Sequence, residues 1–167
     1  MGSDSVGTRT ADCARPVPGA GRGSADGVPQ NSDPGQITRQ IEIALIADSD
    51  FGAAVSDDPT AAMLARLNIV EGIFSEQIGL LVLATDVRSM PANDDPFTST
   101  DATTLLEQLG KYREATAAVR ARGLAHLFTG KDLDGTTAGI AYLDSACSGR
   151  SWRVAEPRRA MARPSPR

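Results

Sequence analysis

The sequence predicts an α/β fold: a mostly parallel, twisted sheet built in the order β-α-β-α-β-β, with one antiparallel strand at an edge. Three observations carry that prediction. Short, nearly continuous apolar runs rich in Ile, Leu and Val occur at residues 41–47 and 78–87, the pattern of strands covered on both faces. Two longer stretches, one after each run, repeat their apolar residues at helical spacing. Two further strand-length runs then follow each other with only a turn signal between them, so the last pair is joined without a crossover helix.

The first strand is Ile41 to Ala47, IEIALIA, whose one charge is Glu42. Continuous burial makes it a central strand. Asp48, Ser49 and Asp50 break it. Asp58 followed by Pro59 then supplies an N-cap and a proline at the first helical position. From Pro59 to about Gln77, Met63, Leu67, Val70 and Phe74 recur at i, i+4, i+7 and i+11, with Leu64, Ile69 and Ile73 widening the stripe, which describes a helix packed on a sheet. Ile78 to Val87 is the second strand. After the proline-containing link from Ser89 to Thr100, Leu105, Leu109, Tyr112 and Val119 mark a second helix starting near Asp101, with Gly123 placed as its C-terminal cap. Leu124 to Thr129 is the third strand, Gly130 to Gly135 a loop carrying an Asp-Gly turn signal, and Thr136 to Leu143 the fourth strand. This order by itself equally fits half of a flavodoxin-like or nucleotide-binding domain.

Composition divides the 167 residues into three parts. Residues 1–36 are rich in Gly, Pro, Ser and Asp and carry almost no apolar cluster, so they are expected to be a disordered arm that cannot bury enough surface to offset its ordering entropy. Residues 37–148 are the foldable part, and 149–167 an Arg/Pro-rich tail. The net charge of −4 divides unevenly: residues 150–167 hold six arginines and one glutamate, while residues 1–149 hold eleven basic and twenty acidic side chains. The abrupt change of composition near residue 149 reads as a truncation or a shifted reading frame, not as a nucleic-acid-binding tail. No segment approaches the ~20 apolar residues of a membrane span, and the N-terminal residues lack the basic and apolar regions of an export signal. The two cysteines are Cys13 in the arm and Cys147 beyond the last strand; a bridge between them would need an ordered Cys13.

The stretch Gly123 to Leu143, GLAHLFTGKDLDGTTAGIAYL, with IEIALIADSDF and LARLNIVEGIFSEQIGL before it, resembles the reprolysin or adamalysin-like branch of the metzincin zinc metallopeptidases, over about the middle two thirds of the chain. The resemblance selects one of the folds left open above: the N-terminal, upper subdomain of a metzincin catalytic domain. It implies a peptide-bond hydrolase in which a His-Glu-x-x-His-x-x-Gly-x-x-His helix binds zinc through three imidazoles while its glutamate activates the attacking water. This sequence contains one histidine, His126, and not that helix. The expectation is therefore an incomplete domain without zinc-dependent proteolysis of its own. The family's members are usually secreted.

What the resemblance implies for individual residues is limited. Thr137, Gly139, Ile140, Ala141 and Tyr142 match the edge strand along which a peptide substrate lies extended, its main chain pairing with the strand. Glu42 and Asp101 match positions that give oxygens to a structural calcium ion, which requires six to eight oxygens. Read from the residues alone, Asp101 is instead the anion favoured at a helix N-terminus and Glu42 a charge at a strand end. His126, with no second His or Cys at ligand spacing, reads as structural, and Asp132-Leu133-Asp134-Gly135 as a turn. The partner this implies is an extended peptide or protein, with neither nucleic acid nor membrane. A competing expectation is a non-catalytic binding module that pairs its exposed strand with a partner chain or with itself.

Overall fold

The structure, a computed structural model, describes residues 14–17, 37–55, 58–142 and 152–155. Its elements are β1 (Ala14–Pro16), β2 (Arg39–Ala47), α1 (Ser49–Ala54), α2 (Pro59–Ile78), β3 (Leu80–Ser89), a single 3-10 turn (Ala92–Asp94), α3 (Ala102–Ala115), α4 (Ala117–Arg120), β4 (Leu124–Phe128), β5 (Gly139–Ala141) and β6 (Trp152–Ala155). Cys13 and Cys147 lie outside the described residues, as do most of the arm and the tail.

The strands form one sheet in the order β3, β2, β4, β6, β5, with β1 beside the first residues of β2. The pairs β2–β3, β2–β4 and β4–β6 are parallel, and β5 runs antiparallel to β6 at the edge. The expected mostly parallel α/β sheet with an antiparallel edge strand is thus the fold. Strand β2 is central because both its faces are apolar. Ile41, Ile43, Leu45 and Ala47 enter one core with Phe51 of α1 and Met63 and Leu67 of α2. Ala44 and Ile46 enter the other with Leu105, Leu106 and Leu109 of α3, Val119 of α4 and Ala125 and Leu127 of β4. Alternate side chains of a strand point to opposite faces, so one apolar run serves two layers.

Helix α2 starts where expected: the Asp58 side chain accepts from Thr60 N, Pro59 takes the first helical position, and Gly79 closes the helix in the left-handed conformation at φ 62°. A residue with a Cβ adopts that conformation at a cost. Asp101 likewise caps α3 by accepting from Thr104 N. Three local expectations need correction. The second helix does not run to Gly123: Thr116 leaves helical geometry (φ −105°, ψ 101°), and a separate turn, α4, covers Ala117–Arg120. The buried Arg113 guanidinium holds this corner by donating to the carbonyls of Arg120 and Arg122. Asp48 to Asp50 do not simply break the strand but open α1. Glu42 sits inside β2 and not at its end.

The composition boundaries also differ from the boundaries of the sheet. Strand β6 falls inside the stretch read as a tail and β1 inside the stretch read as an arm. Each is four residues or fewer, too short for periodicity to register, and each is defined by its pairing with a distant strand.

Candidate functional site

The candidate site lies along β5. Its expected extent, 136–143, is larger than the strand, which covers Gly139, Ile140 and Ala141. Its inner neighbour is β6, with Gly139 opposite Ala155, Ile140 opposite Val154 and Ala141 opposite Arg153. Beyond its other edge no strand is paired among the described residues. Ile140 and Tyr142 pack against the α3-side core, Gly139 is exposed, and Thr137 is half-buried just ahead of the strand. The five residues matched to an edge strand are therefore contiguous in space, anchored inward by two side chains. Three residues can offer only a few main-chain hydrogen bonds.

What positions β5 is a buried polar cluster at the C-terminal ends of β2 and β4. Asp48 and Thr129 are both fully buried. One Asp48 oxygen accepts from Phe51 N at 2.7 Å and Gly130 N at 3.0 Å, while the other accepts from the Thr129 hydroxyl. One carboxylate thus caps α1 and fixes the chain leaving β4. Burial pushes the Asp48 carboxyl above its usual range, against the opposing pull of the Thr129, Gly130 and Phe51 donors and the Lys131 ammonium. Burial pulls Lys131 the other way, yet its bond to Asp50 and the charges of Asp48 and Asp95 more than offset it and hold the ammonium above its ordinary value.

Gly130 passes so close to Asp50 that a Cβ there would overlap the Asp50 carbonyl. Only glycine fits this approach. Asp95 secures the same corner from the other side, its oxygens accepting from Ser49 N and Ser49 Oγ, both at 2.7 Å, and from Phe97 N at 2.9 Å. Further along, Asp134 N donates to Thr100 O at 3.1 Å, and Leu133 is buried against α3. The chain leaving β4 is thus held at Thr129 to Lys131 and again at Leu133 and Asp134 before it reaches β5. Sequence reasoning missed Asp48, Thr129 and Lys131. The available signal was Asp48-Ser49-Asp50-Phe51 directly after a buried strand, an N-cap pattern.

Glu42 and Asp101, the two residues matched to calcium-binding positions, each have a partner of their own. Glu42 pairs with Arg122 in the turn entering β4. Asp101 is exposed at the N-terminus of α3, beside Thr100, whose carbonyl accepts from Asp134 N in the loop leaving β4. The two carboxylates sit toward opposite ends of the sheet, each with its own partner. His126 lies in β4 with its ring centroid 4.5 Å from that of Phe128. It faces an apolar cavity of about 460 Å³ between α2 and the sheet, lined by Val70, Phe74, Leu124 and Phe128 among others. No group of three or more His, Cys, Asp or Glu side chains converges among the described residues. A zinc site of three imidazoles does not fit a sequence with one histidine. No helix among the described residues is long and apolar enough to cross a membrane.

Compared with known proteins, the sequence matches the family described as Reprolysin (M12B) family zinc metalloprotease over residues 39–162. The match runs past residue 149 and takes in β6. A search of the curated proteins found no match. Among solved structures, one titled "Structure of a chaperone-substrate complex" superposes with a TM-score of 0.53 at 8% identity, over 71% of this chain and 20% of that one. The "Crystal Structure of metalloproteinase-II from Bacteroides fragilis" gives a TM-score of 0.45 at 13% identity, over 86% of this chain and 41% of that one. The chain therefore spans about a fifth and two fifths of the lengths of these two structures.

Proposed function

Because this chain belongs to the Reprolysin (M12B) family of zinc metalloproteases, we propose that residues 37–148, closed by β6, act as the substrate-aligning part of such a protease domain. In this reading the open edge of β5 pairs with an extended peptide. Thr137, Gly139, Ile140, Ala141 and Tyr142 form the contact, and main-chain groups of Gly139 to Ala141 supply the hydrogen bonds. The family is zinc-dependent, and its substrates are peptides and proteins. This 167-residue polypeptide holds one imidazole, packed against Phe128. We therefore assign it no hydrolytic step and no zinc of its own.

The observation that supports the alignment role is that the family match spans β2 to β6, including a β5 whose outer edge pairs with no other strand among the described residues. The test has two arms. Casein incubated with the purified polypeptide should remain intact with or without a chelator; chelator-sensitive cleavage would overturn the assignment of no hydrolysis. An extended peptide in excess should slow amide exchange at residues 139–141, and unchanged exchange there would remove β5 from the site.

A second reading shares the same surface: a non-catalytic module that binds a peptide or protein through β5. The single histidine favours it. Saturable binding of one peptide sequence over scrambled versions of itself would support it, because a protease cleft that only aligns substrate has little reason to discriminate without its remaining walls.

A further inference from the structure

The loop between β4 and β5 sets side by side a carboxylate and an amide that the fold leaves unengaged. Asp134 and Gly135 are both exposed. The Asp134 main-chain N–H donates to Thr100 O, but its carboxylate makes no hydrogen bond or ion pair among the described residues. Gly135 lies at φ 76°, in the left-handed region, with nothing within 4 Å of where a Cβ would stand. Its N–H donates to no other group among the described residues.

We infer that Asp134-Gly135 is a site of spontaneous covalent modification, at which the aspartate isomerises to isoaspartate through a cyclic imide. The Gly135 nitrogen attacks Asp134 Cγ. An N–Cγ bond forms, the Cγ–OH bond of the carboxylic acid breaks, and the hydroxyl leaves as water with the amide proton. Both groups belong to neighbouring residues of one chain, so the step is intramolecular. Water then adds to the ring at the main-chain carbonyl carbon of Asp134, the C–N bond there breaks, and the chain afterwards runs through Cβ and Cγ. Addition at Cγ returns aspartate. One water is released and one consumed, so the mass is unchanged and solvent is the sole co-reactant.

The neighbouring Asp132 marks the contrast. It is exposed as well, but the residue after it is Leu133, 3% exposed and packed into the α3-side core, so its nitrogen is crowded and cannot turn toward the carboxyl. Gly135 has no Cβ to obstruct ring closure and the conformational freedom to reach it. The consequence falls on β5. The loop is held at Leu133 and at Asp134 N, and β5 begins at Gly139. Isoaspartate inserts one methylene into the main chain between those points, at the turn that Gly135 makes. That turn directs the chain to β5, so the pairing of Gly139 to Ala141 with β6 should loosen. The chemistry belongs to the loop and does not depend on what β5 binds.

Ageing the 167-residue chain at neutral pH and physiological temperature, beside a synthetic peptide of residues 131–138 as a clock, tests it. Samples are taken until half of the peptide has converted at its Asp-Gly pair. Isoaspartate is located by proteolytic mapping with fragmentation, and counted by an isoaspartate-specific methyltransferase that labels the freed α-carboxylate. The expected result is conversion at residue 134 of the chain to an extent similar to the peptide, with Asp132 of the chain unchanged. Asp134→Glu, an exposed change that keeps the charge, should abolish the product because its ring would need six members. A chain that still carries aspartate at 134 when the peptide has converted would overturn the inference, as would equal conversion at Asp132. The isolated isoaspartate form should lose amide-exchange protection at residues 139–141 while β2 keeps its own. Equal protection of β5 in both forms would refute the effect on that strand.

Discussion

Replacing Asp48 by alanine should be among the most damaging single changes to this fold. The carboxylate is fully buried and accepts from Phe51 N, Gly130 N and the Thr129 hydroxyl. Alanine leaves those three donors facing a void, and an orphaned buried donor costs about 1–3 kcal/mol. The Thr129 hydroxyl can rotate to another acceptor and some water will enter, so about 4 kcal/mol is expected in all, including the lost helix cap. That is a large share of the ~5–15 kcal/mol that holds a domain together. Asparagine separates acceptor from charge. Its amide oxygen can still accept from Phe51 and Gly130 while its amide nitrogen donates to Thr129, and it removes the need to bury a charge, so Asp48→Asn should cost about 1 kcal/mol. Urea unfolding followed by far-ultraviolet circular dichroism measures both. If Asp48→Ala loses less than about 1 kcal/mol, or if Asn costs as much as Ala, the cluster does not secure the exit of β4 as argued.

Three further outcomes follow from the same corner and its neighbours. Gly130→Ala should destabilise by about 1–3 kcal/mol through overlap with the Asp50 carbonyl, and unchanged urea midpoints would mean the approach of loop and helix is looser than drawn. Asp101 is held below the ordinary carboxylate value of 3.8 by its bonds to Thr104; its stabilisation is therefore complete above that value and fades as pH falls through the lower folded pKa. The melting-temperature difference between the chain and its Asp101→Ala variant should accordingly persist at neutral pH and close under acid. Because Glu42 pairs with Arg122 and Asp101 caps α3 elsewhere, millimolar calcium should leave the melting temperature unchanged, and a saturable rise would restore a calcium site.

Much of the fold was legible in the sequence because the determining interactions are local. An apolar run such as Ile41 to Ala47 demands cover on two faces wherever it lies. Asp58-Pro59 and Asp101 announce helix starts through bonds to residues two or three positions ahead, and Gly135 at φ 76° supplies the turn expected from Asp134-Gly135. The family resemblance was equally legible, since it rests on contiguous stretches. The break at Thr116 was not, because it depends on Arg113 reaching carbonyls seven and nine residues on.

Of the candidate site, the sequence by itself determined that a strand, expected over residues 136–143, follows a loop with an Asp-Gly turn signal, and that one histidine cannot make a three-imidazole zinc site. Only the tertiary structure decided what stands beside that strand and what holds it. Strand β6 enters between β4 and β5 through main-chain pairing, which has no side-chain code in four residues. Asp48 meets Thr129 and Gly130 across more than eighty residues of sequence, and Glu42 meets Arg122 across eighty. The outer face of α2 looked like part of a broad core stripe until the sheet took its place on the other side. These are pairings between distant groups, selected by burial and by the need to satisfy every buried donor, and a one-dimensional pattern does not record them.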